Sequence, residues 1–402
     1  MQWIKKAGYR TFQFGLKVGT QILNFPEPEL ISGVGCLKKL PEKVKSMGVK
    51  KVLIVTGKHV SLMPQFEMLL SNLQLCGIDY TIFKDVSPNP TITNVESARR
   101  IYSDKGCDGI IAFGGGSPID CAKAAGTLIA RPGKTISQLR GYFKVNKNLP
   151  MFFAIPTTSG SGSETSVSAV ITDDANHDKF SINDSKLIPK VAVLDPELTL
   201  SLSALTTACT GMDALTHAVE AYIGKSGTKY TDAKAEKAVE LIFSSLEPAF
   251  VNGKDIEARD RMAHASYYAG CAFTRAFVGY VHAIAHSLGG FYNVPHGLAN
   301  AIILPYVLMF YGESAYKKLS KLAVSAKIGV ASEPESELAK RFISKIQEMN
   351  HRMGIPTVVK ELRPEDIPAL SAHAMREANP FYPVPKIMDS KQCAALLEHL
   401  LP

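Results

Sequence analysis

"IIAFGGGSPIDCAKAAG", residues 110–126, decides how the first half of this chain folds. The unbroken apolar run Ile110–Phe113 has the pattern of a strand buried on both faces. Gly114, Gly115 and Gly116 follow, so the backbone turns tightly with no Cβ in the way. Ser117 then reads as the cap of a helix and Pro118 as its first residue. Asp120 falls third, where its carboxylate reaches back in a capping box. Freed amides and the positive helix end make a seat for a pyrophosphate. In open α/β sheets ligands bind at this carboxyl edge of the strands.

The same rhythm recurs on both sides of that stretch. "KKVLIVTGK" (50–58) and "DYTIFKDV" (79–86) read as strands, and "PNPTITNVESARRIYSDKG" (88–106) as a turn and a helix. "PKVAVLDPEL" (189–198) is one more strand, with Asp195 capping the turn that Pro196 starts. In "MFFAIPTTSGSGSE" (151–164) a hydrophobic run ends in small polar residues, where Thr157, Thr158 and Ser159 can hydrogen-bond a ribose, a phosphate or an amide. Either glycine-rich loop alone is compatible with a plain turn, whereas two in one half favour a nucleotide site. The GxGxxG fingerprint is missing, since "GVGCLKK" (33–39) lacks its third glycine and follows no clear strand. A dinucleotide therefore binds here by a variant route. Apolar strands spaced by helices imply a parallel sheet covered on both faces, a variant Rossmann-like domain.

Beyond residue 198 the strand signal fades. Helical spacing takes over at 203–224, 230–250, 255–274, 298–310, 313–329, 334–352 and 388–400. We expect a basic N-terminal arm (1–25), an α/β dinucleotide-binding domain (26–198) and an all-helical domain (199–402).

Composition narrows the function. Hydrophobic residues make up 46% and charged residues 20% of 402 residues, as in globular proteins with room for two cores. No apolar run is long enough to span a bilayer. The seven cysteines are dispersed without a CxxC pair, which suits reduced thiols, a cytoplasmic location and no structural zinc. The net charge of +8 is partly local, because residues 1–26 carry Lys5, Lys6, Arg10 and Lys17 ahead of the first acid. This arm reads as packed on the body or on a partner, the alternatives being a cleaved leader or weak membrane-surface contact. No long surface interleaves basic and aromatic residues, so a nucleic-acid partner is not expected.

The chemistry of the second half gathers in two stretches. "TGMDALTHAVEAY" (210–222) places Asp213 and His217 four apart on one helical face, and "HAIAHSLGGFYNVPH" (282–296) does the same for His282 and His286 before His296. Two such pairs and a loop histidine can converge on one ion. Oxygen and nitrogen donors without thiolate suit Fe²⁺, Mn²⁺, Co²⁺ or Zn²⁺. His59, His177, His264, His351, His373 and His399 lack such company and read as ordinary surface or core residues.

Together "GGGSPIDCAK", "PTTSGSGSE", "GMDALTHAVEAY" and "HAIAHSLGGFYNVPHG" resemble the iron-dependent, or group III, alcohol dehydrogenases over residues 26–402. The resemblance implies an active site in the cleft between the two domains. It implies oxidation of small primary alcohols or diols, or reduction of aldehydes, with NAD(H) or NADP(H), by a homodimer or higher oligomer. It assigns the metal to Asp213, His217, His282 and His296, and places His286 near substrate and cofactor as a proton-handling group. The pyrophosphate falls on Gly114, Gly115, Gly116, Ser117 and Pro118. Thr157 and Thr158 face the cofactor, Lys179 reaches the ribose, and Phe273 lies beside the substrate. Dehydroquinate synthases and glycerol dehydrogenases share the two-domain body, and a non-catalytic nucleotide-binding module is a further class. The complete ligand set and the "GMDALTHAVEAY" match favour the alcohol dehydrogenases.

Two departures matter. Many members carry an acid where this chain has Gly57, followed by Lys58. An acid there would repel a 2′-phosphate, so its loss predicts a preference for NADP(H) with NAD(H) retained. Before His282 stand Arg275, Phe277 and Tyr280, bulkier than the residues often met there. Phe273, Phe277 and Tyr280 either line the mouth of the substrate pocket or pack in the core.

Overall fold

A computed structural model of the chain describes residues 2–23, 25–175 and 178–402. His177 and the arm residues Met1 and Asn24 lie outside the described residues. The chain divides into two compact units, Phe25–Ser201 and the pair of segments Met1–Asn24 and Leu202–Pro402. The N-terminal arm is thus the helix α1 (Gln2–Ile22), grouped with the helical unit rather than standing apart.

In the unit Phe25–Ser201 the strands are β1 (Glu29–Ser32), β2 (Lys51–Thr56), β3 (Asp79–Phe83), β4 (Gly109–Gly114), β5 (Gly141–Tyr142), β6 (Met151–Pro156), β7 (Ser168–Thr172), β8 (Lys179–Asn183) and β9 (Val191–Leu194). Six of them form a parallel sheet in the order β1-β9-β6-β4-β2-β3. Its central strands are apolar throughout because each face has its own core. Val52 and Ile54 join Ile111 and Phe113 on one side, while Leu53 and Val55 join Ile110 and Ala112 on the other. Because β4 pairs with both β2 and β6, the ends of three strands, at Thr56, Gly114 and Pro156, are neighbours. The helices α2 (Leu40–Ser46), α3 (Pro64–Leu75), α4 (Ile92–Asp104) and α5 (Gly116–Ala130) connect the strands. A three-stranded sheet, β5-β8-β7, was not evident from the sequence pattern.

The helical unit continues with α6 (Ala204–Ile223), α7 (Lys229–Val251), α8 (Ile256–Ala276), α9 (Tyr280–Tyr292), α10 (His296–Tyr311), α11 (Glu313–Ser325), α12 (Glu335–Arg352), α13 (Ile367–Ala378) and α14 (Ser390–Glu398). One hydrophobic cluster runs through α6–α14. Both α6 and α9 are buried on nearly every face, so the polar residues they carry are placed deep within it. Helix α9 runs through Gly289 and Gly290 and ends on Asn293, whose φ of 55° is left-handed. No helix among the described residues is long and apolar enough to cross a membrane.

Candidate active site

The glycine loop is built by close packing. A Cβ on Gly114 would lie 2.6 Å from Pro118 Cγ, so only glycine fits against that ring. Gly115 and Gly116 press against Thr158 and Ser161, where a Cβ would come within 3.2 Å of side-chain atoms. The Thr157 amide donates to the Gly114 carbonyl at 3.0 Å, tying the two strand ends together. The helix start differs from its expected form. Gly115 is the N-cap of α5 and no side chain caps it, so Ser117 and Pro118 lie inside the first turn. Ser117 instead donates to the Pro88 carbonyl, and Lys179 Nζ donates to Asn89 Oδ1 at 3.0 Å. Both contacts draw "SPNPT" (87–91) toward the loops.

Asp120 does not reach back in a capping box. Its Oδ2 accepts from the Val170 amide at 3.0 Å, in the strand β7 that follows the Thr157–Thr158 loop. Lys123, one turn on and fully buried, spends its three protons on Ser166 O (2.6 Å), Ser166 Oγ (2.9 Å) and Ser168 O (3.0 Å). Burial pushes Asp120 up to about 6 and Glu164 up to about 7, and lowers Lys123 to about 8. These charges offset one another and staple α5 to the segment 163–170.

At the end of β2 a Cβ on Gly57 would meet only the Val86 carbonyl oxygen at 3.8 Å, so the corner is open. The residues that follow the strand, Gly57, Lys58 and His59, carry no negative group. The fold supplies one: Asp85, just beyond the neighbouring β3, lies 3.4 Å from Lys58 Nζ.

In the helical unit α6 and α9 bring their polar faces together. Donor atoms of Asp213, His217 and His282 all lie within 4.8 Å of one another, and all three residues are buried. His296, the first residue of α10, puts Nε2 3.4 Å from Asp213 Oδ1 and remains partly exposed. Gly297 makes that approach feasible, since a Cβ there would sit 2.4 Å from the Cys209 carbonyl oxygen on α6. Asn300, one turn along α10, donates to Asp213 Oδ1 at 2.7 Å.

Glu220 was missed in the sequence. It stands one turn beyond His217, so the i, i+4, i+7 spacing from Asp213 was the available signal. Its carboxylate accepts from the Gly279 and Val281 amides, both at 2.8 Å, and from His282 Nδ1 at 2.7 Å. That bond fixes the tautomer and turns the Nε2 lone pair of His282 toward Asp213. His282 Nε2 is buried with no hydrogen-bond partner among the described residues. Burial first, then the neighbouring His217, His296 and His286, hold His282 well below the ordinary imidazole range, so it is neutral. A neutral imidazole with an unspent, buried lone pair beside a carboxylate and a second histidine fits a divalent cation.

His286 is held apart from this set. Its Nδ1 donates to Glu377 Oε1 at 2.7 Å, and the Tyr382 hydroxyl donates to the same oxygen at 2.7 Å. The ring stacks on His296 with centroids 5.1 Å apart. Phe273 stacks on His217 at 4.3 Å, next to the donor cluster. Phe277 follows α8 with a φ of 67° and is only partly buried. Tyr280 does not sit at a pocket mouth: it is 0% exposed, and its hydroxyl pairs with Asn379 Oδ1 and the Met388 amide, both at 2.9 Å. Burial of the ring and a fully used hydroxyl make it a core anchor.

Residues 27–196 match the family described as iron-containing alcohol dehydrogenase, and residues 207–401 match its C-terminal region. The chain belongs to the iron-containing alcohol dehydrogenases. It is 38% identical over 355 residues to the NAD-dependent methanol dehydrogenase of Bacillus methanolicus, covering 88% of this chain and 93% of that one. With the 1,3-propanediol dehydrogenase of Klebsiella pneumoniae it shares 37% over 363 residues, 89% and 92% of the two chains. A crystal structure of a 1,3-propanediol oxidoreductase superposes with a TM-score of 0.91 at 34% identity, covering 94% of this chain and all of the other (100%). This alcohol dehydrogenase is an oxidoreductase that moves hydride between a nicotinamide cofactor and a small alcohol, diol or aldehyde in a metal-dependent reaction.

Proposed function

We propose that Asp213, His217, His282 and His296 hold the catalytic metal, iron in the native enzyme with Zn²⁺, Mn²⁺ or Co²⁺ as substitutes. The observation that carries this reading is the buried, unspent Nε2 of His282 facing Asp213 and His217. When bound, a divalent ion favours loss of the alcohol's proton or polarises the aldehyde carbonyl. The chain does the rest. Glu220 holds His282 in one tautomer, and Glu377 holds His286 so that its Nε2 is the ring's proton acceptor. Phe273 gives the substrate an apolar wall, which suits short aliphatic alcohols and aldehydes better than charged sugars.

In the α/β unit, Gly114–Pro118 cradle the cofactor pyrophosphate, Thr157 and Thr158 contact the cofactor, and Lys179 reaches the ribose. NAD(H) is the better-supported cofactor, since a relative is named NAD-dependent and Asp85 returns a negative charge to the corner at Gly57. The open space at Gly57 supports NADP(H) as a second cofactor. A homodimer follows from the family resemblance, and a cytoplasmic location from the dispersed cysteines.

The test loads the enzyme with Fe²⁺ and follows NADH and NADPH absorbance with a panel of short aldehydes, diols and sugar phosphates. We expect turnover with short aldehydes. A sugar phosphate that outperforms every short aldehyde overturns the substrate reading. Full metal occupancy in His217→Ala and His296→Ala overturns the ligand assignment.

A further inference from the structure

The family match begins at residue 27, so α1 lies before it. This helix nonetheless makes its best polar contacts with one short segment near the other end of the chain. Gln13 is buried, 4% exposed, and its amide nitrogen donates to the carbonyls of Pro380 (3.1 Å) and Tyr382 (2.8 Å). Its oxygen accepts from Arg10 Nη1 at 2.8 Å. The same guanidinium donates to Val384 O at 2.7 Å and to Pro385 O at 2.9 Å. Phe12 closes the contact edge-on against Phe381, with ring centroids 5.4 Å apart. Two side chains one turn apart thus satisfy four carbonyls within six residues.

Those carbonyls belong to an irregular stretch between α13 and α14 that makes no helix or strand of its own. A buried loop of this kind needs outside partners for its backbone. On its other side the stretch is tied to Tyr280 through Asn379 and Met388, and its Pro383 carbonyl accepts from the Lys225 amide at 2.6 Å. Toward the chemistry it sends Tyr382, whose hydroxyl donates to the Glu377 oxygen that also holds His286.

We infer that α1 is a positioning element for His286: by pinning residues 380–385 through Arg10 and Gln13, it holds Tyr382 on Glu377 and so fixes the ring of the proton-handling histidine. The geometry is a connected path, α1 to the segment that carries Tyr382, then to Glu377 and His286, and each contact between these parts is a hydrogen bond of 2.7–3.1 Å. Helix α1 therefore serves turnover without touching substrate, cofactor or metal. This inference rests on the proposed role of His286.

The experiment uses the full-length, metal-loaded enzyme with Gln13→Met, Arg10→Ala, Arg10→Lys, Tyr382→Phe and, as the reference for the site itself, His286→Ala. Gln13→Met keeps the size of the side chain and removes its donors. Steady-state kinetics, bound metal and hydrogen exchange of the 378–388 amides are read for each. We expect kcat to fall on the order of tenfold in Gln13→Met, Arg10→Ala and Tyr382→Phe, part of what a positioned acid–base group supplies. Metal content and KM for NADH should stay at the parent values. Exchange at 380–385 should quicken in the two α1 variants, and Arg10→Lys, which keeps one donor, should recover part of kcat. If His286→Ala loses turnover while the α1 variants and Tyr382→Phe match the parent, the brace is wrong and the role of His286 stands. If His286→Ala itself turns over normally, the role of His286 falls first. A drop in metal content that parallels kcat in Gln13→Met also overturns the inference, because α1 would then be a general support of the fold.

Discussion

Both units of this dehydrogenase bury a cluster of ionisable side chains, and the two clusters are completed differently. In the α/β unit the Lys123 ammonium has its three protons on three oxygens, with Asp120 and Glu164 as its charge partners. Asp120 Oδ1 is buried without a hydrogen-bond partner among the described residues, but the lysine supplies the cluster's cation from within, and the cluster acts as a staple between α5 and the segment after β6. In the helical unit donor atoms of Asp213, His217 and His282 converge within 4.8 Å without a lysine or arginine among them, and among the described residues His282 Nε2 has no protein donor to accept from. A buried lone pair left unspent carries a desolvation cost that a bound cation would offset. Burial and an unspent acceptor are common to both clusters; a cation built into the first, against a cation still to be bound in the second, separates scaffold from site.

The largest effect should come from emptying the second cluster. Asp213→Ala or His217→Ala should lose bound metal and turnover together, by more than the 10- to 100-fold, approximately, that loss of a supporting hydrogen bond costs. Metal analysis beside NADH kinetics checks it, and an active, metal-replete Asp213→Ala enzyme breaks the contrast. Removing the cation from the first cluster should leave turnover chemistry in place but cost stability. Lys123→Met strands Asp120 and Glu164 without their counter-charge, and we expect a loss of about 3–5 kcal/mol in denaturant unfolding. An unchanged midpoint would mean that the staple carries no load.

Between these lies Glu220, which is fully spent itself but serves the unspent histidine. Glu220→Gln keeps the size and one amide acceptor while disturbing the bond to His282 Nδ1. Metal affinity should fall about 10- to 100-fold, measured by competition with a chelator. Parent-like affinity would show that α9 alone orients His282.

A smaller effect sharpens the comparison through pH. The pKa of Glu164 is raised by burial to about 7, so the folded state holds its proton more tightly than the unfolded chain does. The stability this confers is complete below the ordinary carboxylate pKa and is lost as pH rises through about 7. Glu164→Gln cannot ionise, so its melting temperature relative to the parent should rise between pH 5.5 and 8. A constant difference across that range would place the carboxylate's proton elsewhere. The smallest change concerns the corner at β2. Gly57→Asp should depress NADPH use more than NADH use, by roughly tenfold in kcat/KM if one carboxylate is worth about 1.4 kcal/mol against a 2′-phosphate. Equal losses with both cofactors would mean that Asp85 already governs the choice.

Much of this was legible in the chain before any contact was known. Apolar runs ending in small residues gave the parallel strands and the Gly114–Gly116 turn. Four-residue spacing placed Asp213 with His217, and His282 with His286, on shared helical faces. These signals are local: strand and helix periodicity depend on residues a few positions apart, and one sequence contains them all. The helix start at Gly115 departs from its local signal for a related reason. Ser117, Pro118 and Asp120 form a good cap on paper, but close packing of Gly114 on Pro118 and the distant Val170 amide set the real geometry.

What the sequence could not determine is which spent and unspent groups would meet. Glu220 closes on the start of α9, Glu377 arrives from α13, Asp85 comes to Lys58 from a neighbouring strand, and α1 crosses more than 360 residues of sequence to reach Val384. Tyr280, next to the ligand helix in sequence, turned out to be wholly buried with its hydroxyl used. Such pairings are set by which helices pack together and by the need to satisfy each buried donor and acceptor, a condition on the whole fold that no local pattern encodes.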